Sequence, residues 1–412
     1  MVDHSILKQY FFQLESALKK KIDSQPTARR KFVYEIAHVG SRIFDDNWAI
    51  GWTTVFVPYE ILNSMNVSGM FVEFFGAMLS GSGMSRKYFE IAESKGYSTD
   101  SCSYHRTIIG AAMDGLIPEP DILIGASIPC NGGVKALKRI GEIFNKEVFI
   151  LNIPIEVTSK SIDYLVEQYE QMIDYIEENT NRKLNYHKLK QAIEYNNQSR
   201  EYLIEVNELC KNIPSPSTSK DLKNFIIFIL LQGTKEGVEV AKFYRDEFQN
   251  RIDYKLFGLP QEKYRLLWIQ NRIQFKTGLL DILEEKYGGN VVIDELNHIW
   301  WDSLDESDPL RSLAYRMITH PLVGPVERRL KVLVQLAKEF KVNGAINPAH
   351  WGCRQSSGAR VLFKEALQKV GVPLIHLDVD CVDERNYSHG QILTRLEAFM
   401  EMLTPFLKNT ME

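Results

Sequence analysis

Two short apolar segments in different halves of the chain each end in a cysteine-containing loop. Residues 121–126 read DILIGA and lead through SIP to Cys130. Residues 342–348 read VNGAINP and lead through AHWG to Cys353. A short apolar run bounded by turn residues is typical of a buried strand, and open α/β sheets bind ligands at the carboxyl ends of such strands. The sequence therefore predicts two similar sheets that each deliver a cysteine to a ligand-binding edge.

Further strand-like runs accompany both segments. In the first half they fall at residues 51–58 and 147–154, and in the second at residues 264–269, 291–294 and 374–380. Helical periodicity separates the runs, which is typical of parallel sheets in α/β proteins. We therefore expect an α/β fold with two Rossmann- or flavodoxin-like parallel-sheet lobes, a helical lead-in and a helical bridging segment.

The chain has 412 residues, which is too long for one ordinary hydrophobic core. Apolar residues at helical spacing dominate both the beginning of the chain and the region between the two sets of strands. The predicted organisation is a helical N-terminal segment at 1–47, a first lobe at 48–160 with Cys102 and Cys130, a mainly helical bridging region at 161–262, and a second lobe at 263–412 with Cys353.

Composition and charge exclude several classes of partner. The chain is 44% hydrophobic and 25% charged, which is typical of a globular protein. Its formal net charge of -4 gives no electrostatic reason to expect nucleic acid or an anionic membrane surface. We see no apolar run near the roughly 18 residues of a membrane span and no signal-peptide core. We therefore expect a cytoplasmic protein.

The chain contains five widely spaced cysteines. An odd number scattered over a long chain argues against a disulfide framework and leaves free thiols or metal ligands. They are Cys102, Cys130, Cys210, Cys353 and Cys381.

Cys102 differs from the two strand-end cysteines because it lies at the predicted start of a helix. It follows a turn at residues 96–100 and is followed closely by His105 and Arg106. Helix amino-terminal amides and neighbouring cationic groups favour a thiolate. Cys102 is therefore a candidate ligand or reactive thiol.

Three thiolates from distant loops favour a cubane iron–sulfur cluster over a structural zinc site. Structural zinc usually takes four ligands in closely spaced pairs, and the chain has no Cys-x-x-Cys. A cubane iron–sulfur cluster held by Cys102, Cys130 and Cys353 would keep its fourth iron for another ligand. The alternative is that these thiols are small buried hydrophobic side chains.

Several motifs, in this order along the chain, together resemble the 2-hydroxyacyl-CoA dehydratase and benzoyl-CoA reductase superfamily. The likeness covers roughly residues 48–405. The motifs that carry it are residues 52–54, 93–106, 120–130, 215–217, 350–354, 378–385 and 391–399.

The resemblance implies a 4Fe-4S component with Cys102, Cys130 and Cys353 as ligands. Its electrons would come from a separate ATP-hydrolysing activator, since this chain has no Gly-x-x-x-x-Gly-Lys-Ser/Thr loop. In the dehydratases one electron makes a ketyl radical from the thioester carbonyl, which expels the adjacent hydroxyl. The family also implies an acyl-CoA or other small-molecule substrate and a homodimer, or a heterodimer with a paralogous subunit.

Four polar residues beside the cysteines are candidate catalytic groups. His105 and Arg106 follow Cys102, and His350 and Arg354 flank Cys353. These side chains are placed to tune a cluster or to bind a thioester. The competing interpretation of the His105 and Arg106 pair is a solvated polar face at the start of a helix.

Two other functions remain open. Some members of the superfamily resemble homodimeric reductases with a double-cubane 8Fe-9S cluster, which would require Cys381, Cys210 and one more ligand. Cys381 follows the strand at residues 374–380 and is expected to approach the same cleft. The chain is alternatively a non-catalytic subunit that relays electrons to a paralogous partner.

Overall fold

The computed structural model describes residues 5–221 and 225–409. It opens with two packed helices, α1 (Ser5–Ser24) and α2 (Ala28–Ser41). The Thr27 hydroxyl accepts a hydrogen bond from the Arg30 amide, which caps the start of α2. Phe11 of α1 is buried against α2 at Gly40, where any Cβ would overlap its ring. This tight approach holds α1 and α2 together as one layer.

The first lobe contains a parallel sheet of four strands in the order β2-β1-β3-β4. Its strands are short, and three of the four are almost entirely buried, as expected for a sheet covered by helices on both faces. The strands are β1 (Ala49–Thr53), β2 (Val67–Phe71), β3 (Ile122–Ala126) and β4 (Val148–Leu151), and the helices are α3 (Tyr59–Ser64), α4 (Val72–Gly81), α5 (Ser85–Ser94), α6 (Ser103–Met113) and α7 (Asn131–Phe144).

Two details of this lobe differ from the sequence-based expectation. The strand expected at residues 51–58 already ends at Thr53. The strand β2 was not expected at all, because its five residues run into α4 without an intervening turn residue. A short strand fused to a helix shows neither a clear period of two nor a boundary.

A helical layer follows the first sheet. Its helices α9 and α10 pack along each other, and α10 also contacts α2. Ile193 and Leu203 of α9 and Val240 and Tyr244 of α10 are buried in the core of this layer. The helices are α8 (Ser159–Thr180), α9 (Tyr186–Cys210) and α10 (Lys235–Asp253).

The second lobe contains another four-stranded parallel sheet, in the order β6-β5-β7-β8. Its strands are β5 (Tyr264–Trp268), β6 (Gly289–Asp294), β7 (Gly344–His350) and β8 (Leu374–Val379). Its helices are α11 (Leu279–Tyr287), α12 (Pro309–Thr319), α13 (Val326–Glu339), α14 (Arg354–Ser357), α15 (Arg360–Gln368) and α16 (His389–Asn409). Short 3-10 turns lie at Arg42–Phe44, Phe225–Leu231, Glu295–Asn297 and Glu384–Asn386.

Both sheets have the same strand order, and the predicted fold class of two parallel-sheet α/β lobes is confirmed. In the first sheet the strand order reverses between β1 and β3, and in the second sheet it reverses between β5 and β7. Such a reversal creates a crevice at the carboxyl ends of the strands. Cys130 follows β3 and Cys353 follows β7, so both loops lie at a reversal point. None of the described helices is sufficiently long and apolar to cross a membrane.

Candidate functional site

One cavity of about 360 Å³ brings together loops from both lobes. Its lining includes three of the five cysteines, namely Cys102, Cys130 and Cys353. The segments that follow β1, β2, β3, β5, β6 and β7 all contribute to it, while Cys102 comes from the amino end of α6. The predicted convergence of the three thiols on one cleft therefore agrees with the geometry.

Cys102 has an acidic thiol. Its Sγ lies 3.6 Å from Nε2 of His350, and His105 is a second neighbour. Burial alone would raise the pKa of Cys102, but these two histidines outweigh burial and lower the pKa to about 5. A pKa of about 5 makes the thiolate the main form of Cys102 at neutral pH.

The buried ring of His350 is oriented by the backbone. The Cys381 amide donates a hydrogen bond of 2.9 Å to His350 Nδ1. A backbone N–H can only donate, so Nδ1 must be the unprotonated nitrogen and Nε2 carries the hydrogen that faces Cys102. The Tyr104 ring packs edge-on against the imidazole at a centroid distance of 5.3 Å. His350 therefore acts as a fixed hydrogen-bond donor to the Cys102 thiolate.

Cys353 lies at the amino end of α14, where its neighbour is an amide side chain and not the histidines that surround Cys102. Asn271 Nδ2 lies 3.8 Å from its Sγ and is placed to donate to it. Burial and the negative charge on Cys102 raise the pKa of Cys353 to about 12. This thiol is therefore protonated at neutral pH.

Cys130 lies at the amino end of α7, beside two glycines that let other groups approach closely. A Cβ at Gly132 would lie 2.8 Å from Cε1 of His105 and 3.2 Å from Cys130 Sγ. On the other side, Gln355 Nε2 donates a hydrogen bond of 3.1 Å to the Pro129 carbonyl. This bond joins the Cys130 loop of the first lobe to the Cys353 loop of the second.

His105 faces the cavity and contacts a carboxylate that the sequence did not single out. Its Nε2 lies 3.3 Å from Oε1 of Glu73, which follows β2. Burial alone would lower the pKa of His105, but the charge on Cys102 and the contact with Glu73 raise it well above the usual range. Glu73, His105 and Cys102 thus form a connected series of charged groups in the cavity wall.

Arg106 is turned away from the cavity and is not among its lining residues. Its buried guanidinium binds Glu93 and the carbonyl of Ser101, and its Nη2 lies 3.3 Å from Asp383 Oδ2 and 3.6 Å from Asp380 Oδ2. The structure therefore places Arg106 as a link between α5, α6 and the loop after β8.

The other predicted residues also lie outside the cavity lining. Arg354 is exposed at the start of α14. Cys381 is fully buried behind His350, where burial and Asp380 raise the pKa of its thiol well above the usual range. Cys210 is buried at the end of α9, where its thiol donates to Ser217 Oγ at 3.5 Å. Neither thiol joins Cys102, Cys130 and Cys353 around the cavity.

Beyond the thiols, the cavity extends into an apolar arm that the sequence did not predict. Side chains of α1 and α2 form one wall of the arm, and the loop after β1 forms another. The arm is lined by Phe11, Leu14, Ile36, Phe56, Phe74 and Leu322. Each of these side chains is far from the cysteines in sequence, and apolar periodicity alone cannot separate a cavity wall from ordinary core.

A close contact between the lobes holds Cys102 in place and allows a test. Gly352 has a φ of +70°, and a Cβ there would lie 2.6 Å from the Cys102 amide nitrogen. We expect Gly352→Ala to cost about 2–5 kcal/mol of unfolding free energy, from left-handed strain and overpacking. It should also speed alkylation of Cys102, because the loop that covers it is displaced.

Gly371 provides the matched control for that experiment. Its φ is +76°, and none of the residues that the structure describes has an atom within 4 Å of the position of its Cβ. Gly371→Ala should therefore cost only the left-handed strain of about 1–2 kcal/mol and leave Cys102 alkylation unchanged. Urea unfolding and mass spectrometry of alkylated peptides measure both effects. Equal results for the two variants would show that the Gly352 contact does not hold Cys102.

The donor set fits a cubane cluster better than a single metal ion. Within residues 5–221 and 225–409, no three His, Cys, Asp or Glu side chains are close enough to hold one ion. A cubane places each cysteine on a different iron, so its ligands need not converge on one point. Three thiols around one cavity, one of them already a thiolate, are compatible with such a group.

The chain is similar to several known proteins. The family model described as 2-hydroxyglutaryl-CoA dehydratase, D-component, matches residues 54–403. The (R)-phenyllactyl-CoA dehydratase alpha subunit of Clostridium sporogenes is 26% identical over 371 residues, which cover 86% of this chain and 89% of that subunit. The (R)-2-hydroxyisocaproyl-CoA dehydratase alpha subunit of Clostridioides difficile is 25% identical, over 86% of this chain and 90% of that subunit.

A component of a reductase is also similar. One of the subunits of benzoyl-CoA reductase from Thauera aromatica is 25% identical over 347 residues, covering 76% of this chain and 78% of that subunit. The superfamily predicted from the sequence motifs is therefore confirmed. Because the family model spans most of the chain, including all three cavity cysteines, this protein belongs to the 2-hydroxyglutaryl-CoA dehydratase D-component family.

Proposed function

We propose that this chain is the iron–sulfur subunit of an enzyme that dehydrates 2-hydroxyacyl-CoA thioesters. The observation that carries the proposal is the meeting of Cys102, Cys130 and Cys353 around one cavity with a fixed donor on the Cys102 thiolate. These three residues would hold a 4Fe-4S cluster. When bound, the cluster would supply single electrons and a Lewis-acidic iron at the corner that no cysteine occupies.

The residues of the chain itself bind the substrate, exclude water and handle protons. The apolar arm would take the acyl side chain and keep water from the reacting carbons. Glu73 and His105 are the cavity groups placed to move a proton, since they are within hydrogen-bond reach of each other. His350 and Asn271 would donate hydrogen bonds to the sulfurs of Cys102 and Cys353, which stabilises negative charge there.

The proposed partners are a paralogous subunit and a separate ATP-hydrolysing activator. Two of the relatives are alpha subunits of dehydratases and a third is one subunit of a reductase, so a second subunit is the expected arrangement. An external source of energised electrons is needed because the chain has no phosphate-binding Gly-x-x-x-x-Gly-Lys-Ser/Thr loop. Turnover should therefore require both partners.

Similarity to a component of benzoyl-CoA reductase makes reduction of a thioester the second candidate reaction. A double-cubane centre within one chain is less well supported. It would need thiols from Cys381 and Cys210, and both are buried away from the cavity lining. The electron-relay alternative predicts a cluster without substrate binding.

The test is to purify the chain anaerobically, measure iron and acid-labile sulfide, and record a Mössbauer spectrum. We expect about four irons per chain in one cubane. The loaded chain, its paralogous partner and an activator should then convert a 2-hydroxyacyl-CoA to the enoyl-CoA. About eight irons with additional sulfide would instead support the double-cubane reductase. Absence of iron after reconstitution would refute both.

A further inference from the structure

Arg272 is a buried arginine in the cavity wall that neither the sequence nor the proposed reaction has assigned a role. It follows β5 and is only 4% exposed. Its Nε donates a hydrogen bond of 2.7 Å to Asp294 Oδ2, and its guanidinium stacks on the Trp268 ring at 4.5 Å. Both contacts fix the plane of the guanidinium.

One donor of this guanidinium has no acceptor. Nη1 is buried and finds no hydrogen-bond partner among the residues that the structure describes. A buried donor without a partner is unfavourable, more so on a charged group. Because Arg272 lines the cavity, an oxygen of a bound ligand is the acceptor that would remove this cost.

The charge around Arg272 indicates which kind of oxygen would accept its hydrogen bond. Asp294 neutralises the guanidinium and is itself held by the Leu296 amide at 2.9 Å. Glu73, a second carboxylate in the same cavity, lies against His105. The Arg272 and Asp294 pair therefore offers no surplus positive charge for a second carboxylate, and a neutral carbonyl or hydroxyl oxygen is the better match.

The shape of the cavity agrees with an uncharged ligand. Its arm is lined by Phe11, Leu14, Ile36, Phe56, Phe74 and Leu322, which have no side-chain hydrogen-bonding groups, and Tyr10 of α1 adds one hydroxyl to the cavity lining. A charged acyl side chain in this arm would lose its hydration without meeting a positive charge in these walls. An aromatic or branched aliphatic side chain would instead bury its surface against these residues.

We propose that Arg272 is a substrate-binding residue that donates Nη1–H to an uncharged oxygen of a 2-hydroxyacyl thioester whose side chain is apolar. The inference rests on the proposed function and adds the substrate class to it. It predicts that the protein discriminates against thioesters that carry a second carboxylate, such as 2-hydroxyglutaryl-CoA.

The test is calorimetric binding to the cluster-loaded protein, assembled with its paralogous partner in the absence of activator and ATP, so that no turnover occurs. The two probes are (R)-phenyllactyl-CoA and (R)-2-hydroxyglutaryl-CoA. We expect the wild type to bind the phenyllactyl thioester at least about tenfold more tightly, because only the glutaryl probe brings an unpaired carboxylate.

Two substitutions separate the roles of the ion pair. Arg272→Lys can keep the contact with Asp294 but loses the second arm of the guanidinium, so phenyllactyl-CoA binding should weaken about tenfold to hundredfold. Asp294→Asn keeps Nη1 and removes the neutralising charge. It should raise the affinity for 2-hydroxyglutaryl-CoA relative to phenyllactyl-CoA, because a second carboxylate then meets an unneutralised guanidinium.

Arg316 supplies the matched control. It is 5% exposed, pairs with Glu60 through both terminal nitrogens and does not line this cavity. Arg316→Lys should leave both affinities unchanged. Iron content and thermal unfolding report whether each variant is folded and loaded.

The possible results distinguish this inference from the proposed function. Unchanged phenyllactyl-CoA affinity in a loaded Arg272→Lys protein would overturn the inference alone. Equal wild-type affinity for the two probes would overturn the assignment of an apolar substrate. A loaded wild-type protein that binds neither thioester would refute the proposed function, and this inference with it.

Discussion

Cys102→Ala is expected to abolish turnover and to lower the iron content from about four atoms per chain to a small remainder. The pKa of the Cys102 thiol is lowered to about 5 by His105 and His350, which favours the thiolate that binds metal. A cluster held by three cysteines has no spare protein ligand when one is lost. Iron, acid-labile sulfide and the visible absorption of the anaerobic protein measure the effect.

Cys210→Ala is the control for loss of a buried thiol. Cys210 lies at the end of α9, and burial raises the pKa of its thiol to about 12. Its replacement should cost some stability but retain iron, since its sulfur contacts Ser217 and not the cavity. If Cys102→Ala retained full iron content, the assignment of Cys102 as a ligand would be wrong.

Cys381→Ala tests the double-cubane alternative in the same series. The Cys381 side chain is buried behind His350, while its amide holds the imidazole. Alanine keeps that amide, so a single-cubane protein should keep its iron. Loss of half of about eight irons in this variant would favour the double-cubane centre instead.

The sequence predicts the fold class and the cysteine loops well, because those features are local. Cys130 and Cys353 each follow a buried strand and precede a helix, and the turn residues between strand and helix are visible in the sequence. Parallel strands place such loops at one edge of the sheet. The two loops could therefore be assigned to ligand-binding edges without knowledge of any long-range contact.

The surroundings of the thiols could not be predicted, because they depend on contacts between distant segments. Glu73 follows β2, a strand that ran into a helix without a recognisable boundary. Asn271 and Arg272 lie in the loop after β5. Asn271 contacts Cys353 although more than eighty residues separate them in the sequence. No sequence motif marks that loop as part of a site. An unsatisfied buried donor is a property of the packed structure alone.

His105 and Arg106 show how neighbouring residues acquire different roles. Successive side chains on an α-helix point about 100° apart, so adjacent residues of α6 can face different surroundings. His105 lines the cavity, whereas Arg106 is directed towards α5 and the loop after β8. The sequence placed both beside Cys102, but the direction of each depends on where α6 packs.

Arg106→Met is therefore expected to destabilise the protein by about 3–5 kcal/mol without weakening substrate binding in the folded fraction. The Arg106 side chain is 1% exposed, and its removal leaves the buried carboxylate of Asp380 without a guanidinium and leaves Asp383 and Glu93 with Arg385 alone. Urea unfolding measures the loss of stability, and the calorimetric titration with (R)-phenyllactyl-CoA measures binding.

Arg385→Met separates this effect from a general loss of positive charge. Arg385 binds two of the same carboxylates, Glu93 and Asp383, but its side chain is 28% exposed, so water can replace it. We expect a cost of about 1 kcal/mol or less. If Arg106→Met were as stable as wild type and instead lost thioester binding, Arg106 would belong to the substrate site, and the structural role assigned to it here would be wrong.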